Sequence, residues 1–177
     1  GGECEILNDM PEGFDLAEQI VHPNICGFGK SVLEAVLAGN VKELVLVNCC
    51  DTIRSVYDIL EDSGKLDFLY MVDMLHCDVS CSRERTVSQL KELAAAYGAY
   101  KGTTFNKEAF LKAFQPAERC SEPHLAVLGA RMGEQLFEMT EDAMPLPVVN
   151  ETCVNNRSVG GVLPSEDLNF DSLMVWY

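Results

Sequence analysis

The stretch Glu43-Leu-Val-Leu-Val-Asn-Cys-Cys-Asp-Thr-Ile-Arg-Ser-Val-Tyr57 predicts a strand that passes directly into a helix. Its apolar run from Leu44 to Val47 has the length and β-branched content of a strand buried on both faces, as in a parallel sheet. Asp51 is the predicted N-cap of the helix, whose apolar face holds Ile53, Val56, Ile59 and Leu60. Because ligands of open parallel sheets bind beyond the carboxyl ends of the strands, we expect chemistry near Cys50.

The rest of the chain alternates strands and helices in the same way. Further strands are predicted at 67–73, 124–130 and 147–150, with helices at 31–38, at 83–97 and after 130. Such alternation favours right-handed crossovers between parallel strands. The predicted fold class is therefore α/β, a Rossmann-like three-layer sandwich with a mostly parallel sheet. We expect 1–177 to form a single α/β domain, the N-terminal domain of a longer two-domain protein.

Composition and charge exclude several classes of protein. The net charge of −15 disfavours binding to nucleic acid, which requires clustered Lys and Arg. No apolar run approaches the roughly 20 residues that a membrane-spanning helix needs. The chain does not open with a basic and then apolar leader, so we expect a cytoplasmic protein.

The eight cysteines allow three interpretations: a disulfide framework, a metal or cluster site, or scattered core thiols. A disulfide framework is typical of small, secreted, loop-rich domains, whereas this chain has long periodic α and β patterns. Cluster ligation and ordinary buried thiols both remain open at this point. The cysteines stand at positions 4, 26, 49, 50, 77, 81, 120 and 153.

The segment Cys26-Gly-Phe-Gly-Lys-Ser31 contains the Gly-Lys-Ser of a phosphate-binding loop. Asn24 occupies the position of the first glycine of that motif, and His22-Pro23 stands where a strand is required, so nucleotide binding is disfavoured. A second interpretation is that the segment presents a thiolate, since Cys26 precedes a helix N-terminus as Cys50 does. Two such thiolates could hold two corners of an iron-sulfur cube. The alternative is two ordinary half-buried cysteines.

Several motifs together resemble one superfamily. Pro23-Asn-Ile-Cys26, followed by Lys30-Ser31, and Asn48-Cys-Cys-Asp51, followed by Arg54, resemble the 2-hydroxyacyl-CoA dehydratase and benzoyl-CoA reductase superfamily. That group also includes the double-cubane cluster proteins. Three later segments resemble it more loosely: 71–76, 125–133, and 150–153 with Arg157.

The resemblance implies a cluster subunit whose [4Fe-4S] cluster leaves one iron open to substrate or a small ligand. Cys26 and Cys50 match two of the family's cluster ligands, and the third is expected beyond Tyr177, in a second α/β domain. Cys153 lies in the family's Thr-Cys segment, which is not taken to be a ligand. The remaining cysteines near these motifs have no assigned counterpart: Cys49, Cys77 and Cys81.

The implied function is that of an iron-sulfur subunit in a reductive dehydratase, a lyase, or in a reductase that acts on acyl-CoA thioesters. The implied partners are a second dehydratase or reductase subunit, an ATP-hydrolysing iron-sulfur activator that donates one electron, and the acyl-CoA substrate. The alternatives are a non-catalytic electron-transfer or partner subunit of the same fold, and a double-cubane reductase of small molecules.

His76 is the one candidate for a catalytic group. It follows Asp73 at a predicted strand end, where it could donate a proton or bind a metal, and an ordinary loop histidine is the alternative. The Cys77-x-x-x-Cys81 spacing could serve a metal or a redox disulfide, although nothing in the sequence supplies further ligands.

Overall fold

The computed structural model describes residues 11–73, 79–106, 108–109, 122–129 and 132–152. The helices are α1 (Gly27–Leu37), α2 (Asp51–Ser63), α3 (Ser80–Lys101) and α4 (Glu134–Ala143). The strands are β1 (Glu43–Val47), β2 (Phe68–Val72), β3 (Leu125–Gly129) and β4 (Val148–Thr152). The chain divides into two compact units, one with β1, β2 and helices α1 to α3, the other with β3, β4 and α4.

Both pairs of strands are parallel. In the first unit β1 pairs with β2 from Glu43 opposite Phe68 to Val47 opposite Val72. In the second unit β3 pairs with β4, beginning with Leu125 opposite Val148. The prediction of an α/β fold with parallel strands is therefore confirmed, although each sheet of the described residues has two strands.

The core of the first unit lies where α1, α2 and β1 meet. Helix α2 packs against both α1 and β1, and Ile53, Val56 and Leu60 of its predicted apolar face are buried. Burial of such a side chain contributes about 1.5–3 kcal/mol, so this face anchors the unit. The other buried apolar side chains here are Val32, Leu33, Val36 and Leu46.

The prediction that the first strand is buried on both faces is wrong at two positions. Leu46 is buried, but Val45 and Val47 are 43% and 41% exposed. Successive residues of a strand point to opposite faces, so Val45 and Val47 share the face away from Leu46. Helix α3 packs on β2, which leaves the two valines of β1 exposed.

Several helix boundaries differ from the sequence prediction, and α1 begins at Gly27 rather than at 31. Cys50 is the N-cap of α2, and Asp51 is the first helical residue, where its carboxylate contacts the Arg54 guanidinium at 3.5 Å. Helix α3 begins at Ser80 and extends past its predicted end at 97 to Lys101, where Gly102 caps it in the left-handed conformation (φ 65°). The chain turns back after α3, and the Thr103 N–H donates a hydrogen bond to the Gly98 carbonyl oxygen at 2.8 Å.

The described residues of the second unit are more exposed than those of the first. Val148 is buried, whereas α4 has no buried residue and Leu128 of β3 is 75% exposed. Among the residues that the structure describes, no helix is long and apolar enough to cross a membrane.

Candidate functional site

Cys26 is the N-cap of α1. Its backbone is extended (φ −62°, ψ 153°), and its carbonyl oxygen accepts the Lys30 N–H at 3.1 Å. The side chain makes no capping hydrogen bond, and the thiol is exposed and not joined in a disulfide. A thiol at this position meets the positive end of the helix dipole, which favours a bound negative charge.

Cys50 occupies the equivalent position on α2. Its backbone is also extended (φ −165°, ψ 166°), and its carbonyl oxygen accepts the Arg54 N–H at 3.2 Å. This thiol too is exposed, is not in a disulfide and forms no capping bond. Both candidate ligands therefore lie at helix N-termini with their sulfur atoms outside the apolar core.

The first turns of the two helices touch at Gly29 and Thr52. A Cβ atom on Gly29 would lie 2.6 Å from Thr52 Cγ2, which is closer than real Cβ contacts come. Gly29 is buried in the first turn of α1, just after Cys26, and Thr52 belongs to the first turn of α2, just after Cys50. The structure thus brings the two cysteine-capped helix starts together, while the role of Cys26 and Cys50 as iron ligands stays a prediction.

A polar network crosses the carboxyl ends of β1 and β2. The Asn48 Nδ2 group donates to Asp73 Oδ1 at 2.6 Å, and Arg54 Nε donates to Asn48 Oδ1 at 3.1 Å. Asp73 Oδ2 also accepts from Arg85 on α3 at 3.4 Å. The hydrogen bond from Asn48, followed by that from Arg85, lowers the pKa of the Asp73 carboxyl below its ordinary value of 3.8, and partial burial opposes this effect. Asp73 is therefore a carboxylate at neutral pH.

The Gly-Lys-Ser residues of α1 have partners within the protein. Lys30 is nearly buried, and its Nζ pairs with Glu18 Oε1 at 2.8 Å. The Ser31 hydroxyl donates to the Gly27 carbonyl at 2.9 Å. Among the described residues 11–26 no strand leads into α1, which follows a turn at 22–25. These contacts give Lys30 and Ser31 structural roles at the start of α1.

A family model described as the D-component of 2-hydroxyglutaryl-CoA dehydratase matches residues 6–148. The chain belongs to this family. The match includes the Cys26 and Cys50 motifs and reaches into the second unit, and it confirms the resemblance seen in the sequence. The D-component is one part of a dehydratase, so this chain is a dehydratase component of a kind that functions with other subunits. No curated protein matches the chain.

Several predicted site residues of this D-component chain lie outside the described residues. They are the catalytic candidate His76, its neighbour Cys77, and Cys153. Cys81 is described as the second residue of α3, with an exposed thiol. Within the described ranges no group of three or more His, Cys, Asp or Glu side chains is arranged to hold a metal ion.

Sequence reasoning missed the Asn48–Asp73–Arg85 part of the polar network. Arg54, which follows the Cys50 motif in the sequence, also pairs with Asp51. The missed signal is that Asn48 and Asp73 each follow the last residue of a strand directly. Since β1 and β2 are parallel and in register at Val47 and Val72, polar residues just after them must be neighbours.

Proposed function

We propose that this D-component chain supplies two cysteine ligands, Cys26 and Cys50, to a [4Fe-4S] cluster in a reductive dehydratase that acts on 2-hydroxyacyl-CoA thioesters. The observation that supports the proposal most directly is the contact of Gly29 with Thr52, which joins the first turns of two helices that each begin with an exposed cysteine.

The donor set suits such a cluster. Iron-sulfur clusters are held by thiolates, and both N-cap cysteines leave their thiols without a capping hydrogen bond. The positive ends of two helix dipoles then face the negative charge of thiolate-bound iron and sulfide. A bound cluster would supply one-electron reduction and a Lewis-acidic iron for a thioester carbonyl, which side chains alone do not provide.

The chain's own residues would hold the ligand loop in place. Asn48 precedes the cysteine pair, and its amide is fixed between Asp73 and Arg54. Because Asn48 N–H also donates to the Val72 carbonyl at 2.9 Å, the end of β1 is tied to the end of β2. We infer that these contacts position Cys50, since they fix the backbone from which its side chain projects.

Two thiolates do not complete the ligand set of a cluster, so the proposal includes a third cysteine from outside the described residues. It also includes a second subunit, an ATP-hydrolysing iron-sulfur activator and an acyl-CoA thioester substrate, as the family's chemistry requires. Exposed thiols and a low-potential cluster need a reducing compartment, which favours the cytoplasm.

The test is anaerobic reconstitution of the full chain, together with its partner subunit, using iron and sulfide. We expect bound iron, sulfide and a cluster spectrum, and we expect Cys26→Ser and Cys50→Ser each to lose most of them. Cys81→Ser is the matched control, because it removes another exposed thiol near a helix start and should retain the cluster. Full cluster content in both ligand variants would overturn the assignment.

A second assay separates a catalytic from a non-catalytic role. The reconstituted complex, supplied with an ATP-driven activator, should dehydrate a 2-hydroxyacyl-CoA, and the same complex with Cys50→Ser should not. A stable cluster that takes up electrons without any turnover would contradict the dehydratase role and favour an electron-transfer subunit.

A further inference from the structure

Cys49 and Cys50 form a pair of adjacent thiols just beyond β1. Their sulfur atoms lie 4.0 Å apart, both side chains are exposed, and neither is joined in a disulfide. The Cys49 N–H donates to the Val47 carbonyl at 2.8 Å, which closes a tight turn over Asn48 where the strand ends. Neighbouring side chains of a regular strand point to opposite faces, so it is the end of the strand that allows the two sulfurs to approach.

The distance between the sulfurs is compatible with one shared centre. Two thiolates on one tetrahedral ion, at metal–sulfur bonds of about 2.3 Å, lie about 3.8 Å apart, and on pyramidal trivalent arsenic, whose sulfur–arsenic–sulfur angle is smaller, they lie slightly closer. The observed 4.0 Å is close to that value. Two corners of an iron-sulfur cube bind different irons and need a wider separation, so this spacing suits one shared centre rather than two ligands of one cube.

We propose that Cys49 and Cys50 form a chelating dithiol for a single thiophilic centre, of which trivalent arsenic is the simplest case. With an organic arsenical, each thiol gives up a proton to the arsenic-bound oxygen, which leaves as water, and two arsenic–sulfur bonds form without change of oxidation state. The arsenical carries its own third substituent, so the site needs no further protein ligand.

The surroundings favour a two-sulfur site over a full metal cage. No third His, Cys, Asp or Glu joins these thiols in a metal-binding group within the described part of the chain. Cys50 is the N-cap residue of α2, and its side chain makes no capping hydrogen bond. A centre bound at the pair occupies Cys50, so it would compete with any cluster that uses the same sulfur. The dithiol itself does not depend on the proposed cluster.

The experiment titrates phenylarsine oxide into the full chain, reduced and free of iron, and counts bound equivalents by intact-mass spectrometry. A competing small monothiol gives the relative affinity. We expect Cys49→Ser and Cys50→Ser each to bind one equivalent fewer than the wild type. At that site we expect the affinity to fall by at least about 100-fold, because the second sulfur acts at high effective concentration.

Cys26→Ser is the control, since it removes a neighbouring exposed thiol at a helix start and should keep every equivalent. Undiminished binding by Cys49→Ser overturns the proposal. Loss of the same equivalent in Cys26→Ser also overturns it, because Cys26 would then supply one of the two arsenic–sulfur bonds. A circular dichroism spectrum equal to that of the wild type is required for each variant, and Cys49→Ala replaces a serine variant that does not fold.

The outcome is separable from that of the cluster assignment. A chain that loses its cluster in Cys50→Ser but binds the arsenical normally in Cys49→Ser keeps the proposed function and loses the dithiol. A chain that holds no cluster but shows the paired loss of one arsenical equivalent keeps the dithiol alone.

Discussion

Gly29 of α1 and Thr52 of α2 are in such close contact that a Cβ atom on Gly29 would lie 2.6 Å from Thr52 Cγ2. The same Cβ would lie 3.1 Å from Ile25 Cγ2 and 3.4 Å from Val56 Cγ2. Threonine in a helix is restricted to two χ1 rotamers, so the Thr52 methyl group has few positions to which it can move. The approach of the two helix starts therefore depends on the absence of a side chain at position 29.

The first prediction is that Gly29→Ala destabilises the first unit by about 1–3 kcal/mol, the usual cost of overpacking. In an open helix the same change would stabilise by up to about 1 kcal/mol. Denaturant unfolding measures the difference. If the cluster is held as proposed, the variant should also bind less iron, since α1 moves away from α2 and carries Cys26 with it.

Two variants test the cause. Gly27→Ala changes a glycine of the same helix turn that has nothing within 4 Å of its Cβ position, so it should not destabilise. Thr52→Ser removes the methyl group that clashes, and in that background Gly29→Ala should cost less, with a coupling energy of at least about 0.5 kcal/mol. Equal costs in both backgrounds would refute the contact as the cause.

The second prediction concerns the pKa of Asp73. The hydrogen bond from Asn48 is the largest cause that lowers this pKa, and the hydrogen bond from Arg85 is the next cause that lowers it. Asn48→Ala should raise the Asp73 pKa toward 3.8, and Arg85→Gln should also raise it, because it removes a positive charge as well as a hydrogen bond. Carboxyl titration by NMR measures both shifts. An unchanged Asp73 titration in Asn48→Ala would contradict the network.

The same lowered pKa fixes the sign of a stability effect. A carboxyl whose pKa is lower in the folded chain stabilises the fold above its unfolded value of 3.8 and loses that contribution as the pH falls through its folded value. The wild type should therefore lose more stability than Asn48→Ala between neutral and acid pH.

The parts of the fold that the sequence predicts are those with strong local patterns. The apolar run before Asn48 gives β1, and the spacing of Ile53, Val56 and Leu60 gives the buried face of α2. The N-cap was misplaced by one residue because Asp51 is a better capping residue than Cys50 by composition. Its carboxylate instead contacts the guanidinium of Arg54.

The candidate site was predicted only in part, since its geometry depends on distant pairs. Helix starts at Cys26 and Cys50 follow from local patterns, but the contact of Gly29 with Thr52 depends on how the two helices pack. The exposure of Val45 likewise depends on which strand and helix lie beside β1. No local pattern of residues encodes those neighbours.

The third prediction compares the two partners of the Glu18–Lys30 ion pair. Lys30 is nearly buried, whereas the Glu18 side chain is 58% exposed. Glu18→Gln leaves an ammonium group in a poorly hydrated place and should cost about 1–3 kcal/mol. Lys30→Met leaves a hydrated carboxylate behind and should cost less. Thermal or denaturant unfolding of both variants checks the order, and a larger cost for Lys30→Met would refute it.

A further cluster surrounds Glu43 at the amino end of β1. Its carboxylate accepts hydrogen bonds from the Tyr97 hydroxyl at 2.7 Å, from the Tyr100 hydroxyl at 3.2 Å and from the Lys101 ammonium. The Tyr97 ring packs edge-on against the Phe68 ring, with 5.1 Å between the ring centroids. The two tyrosine hydroxyl groups therefore hold a charged group, and the Tyr97 ring also packs against Phe68.

The fourth prediction is that Glu43→Gln lowers the pKa of Tyr97, because the hydrogen bond to Glu43 is the largest cause of its rise above 10.0. The pKa of Tyr57 should stay raised in this variant, since burial and then Glu61 raise it. Glu61→Gln is the matched control, lowering the pKa of Tyr57 and not that of Tyr97.

The raised pKa values also fix the sign of a stability effect in alkali. A tyrosine whose pKa is raised on folding loses its contribution to stability as the pH rises through its unfolded and folded pKa values, and Lys101, whose pKa is also raised, acts in the same direction. The wild type should therefore lose more stability in alkali than Glu43→Gln, as tyrosinate absorbance and denaturant unfolding will measure, and equal losses would contradict this account.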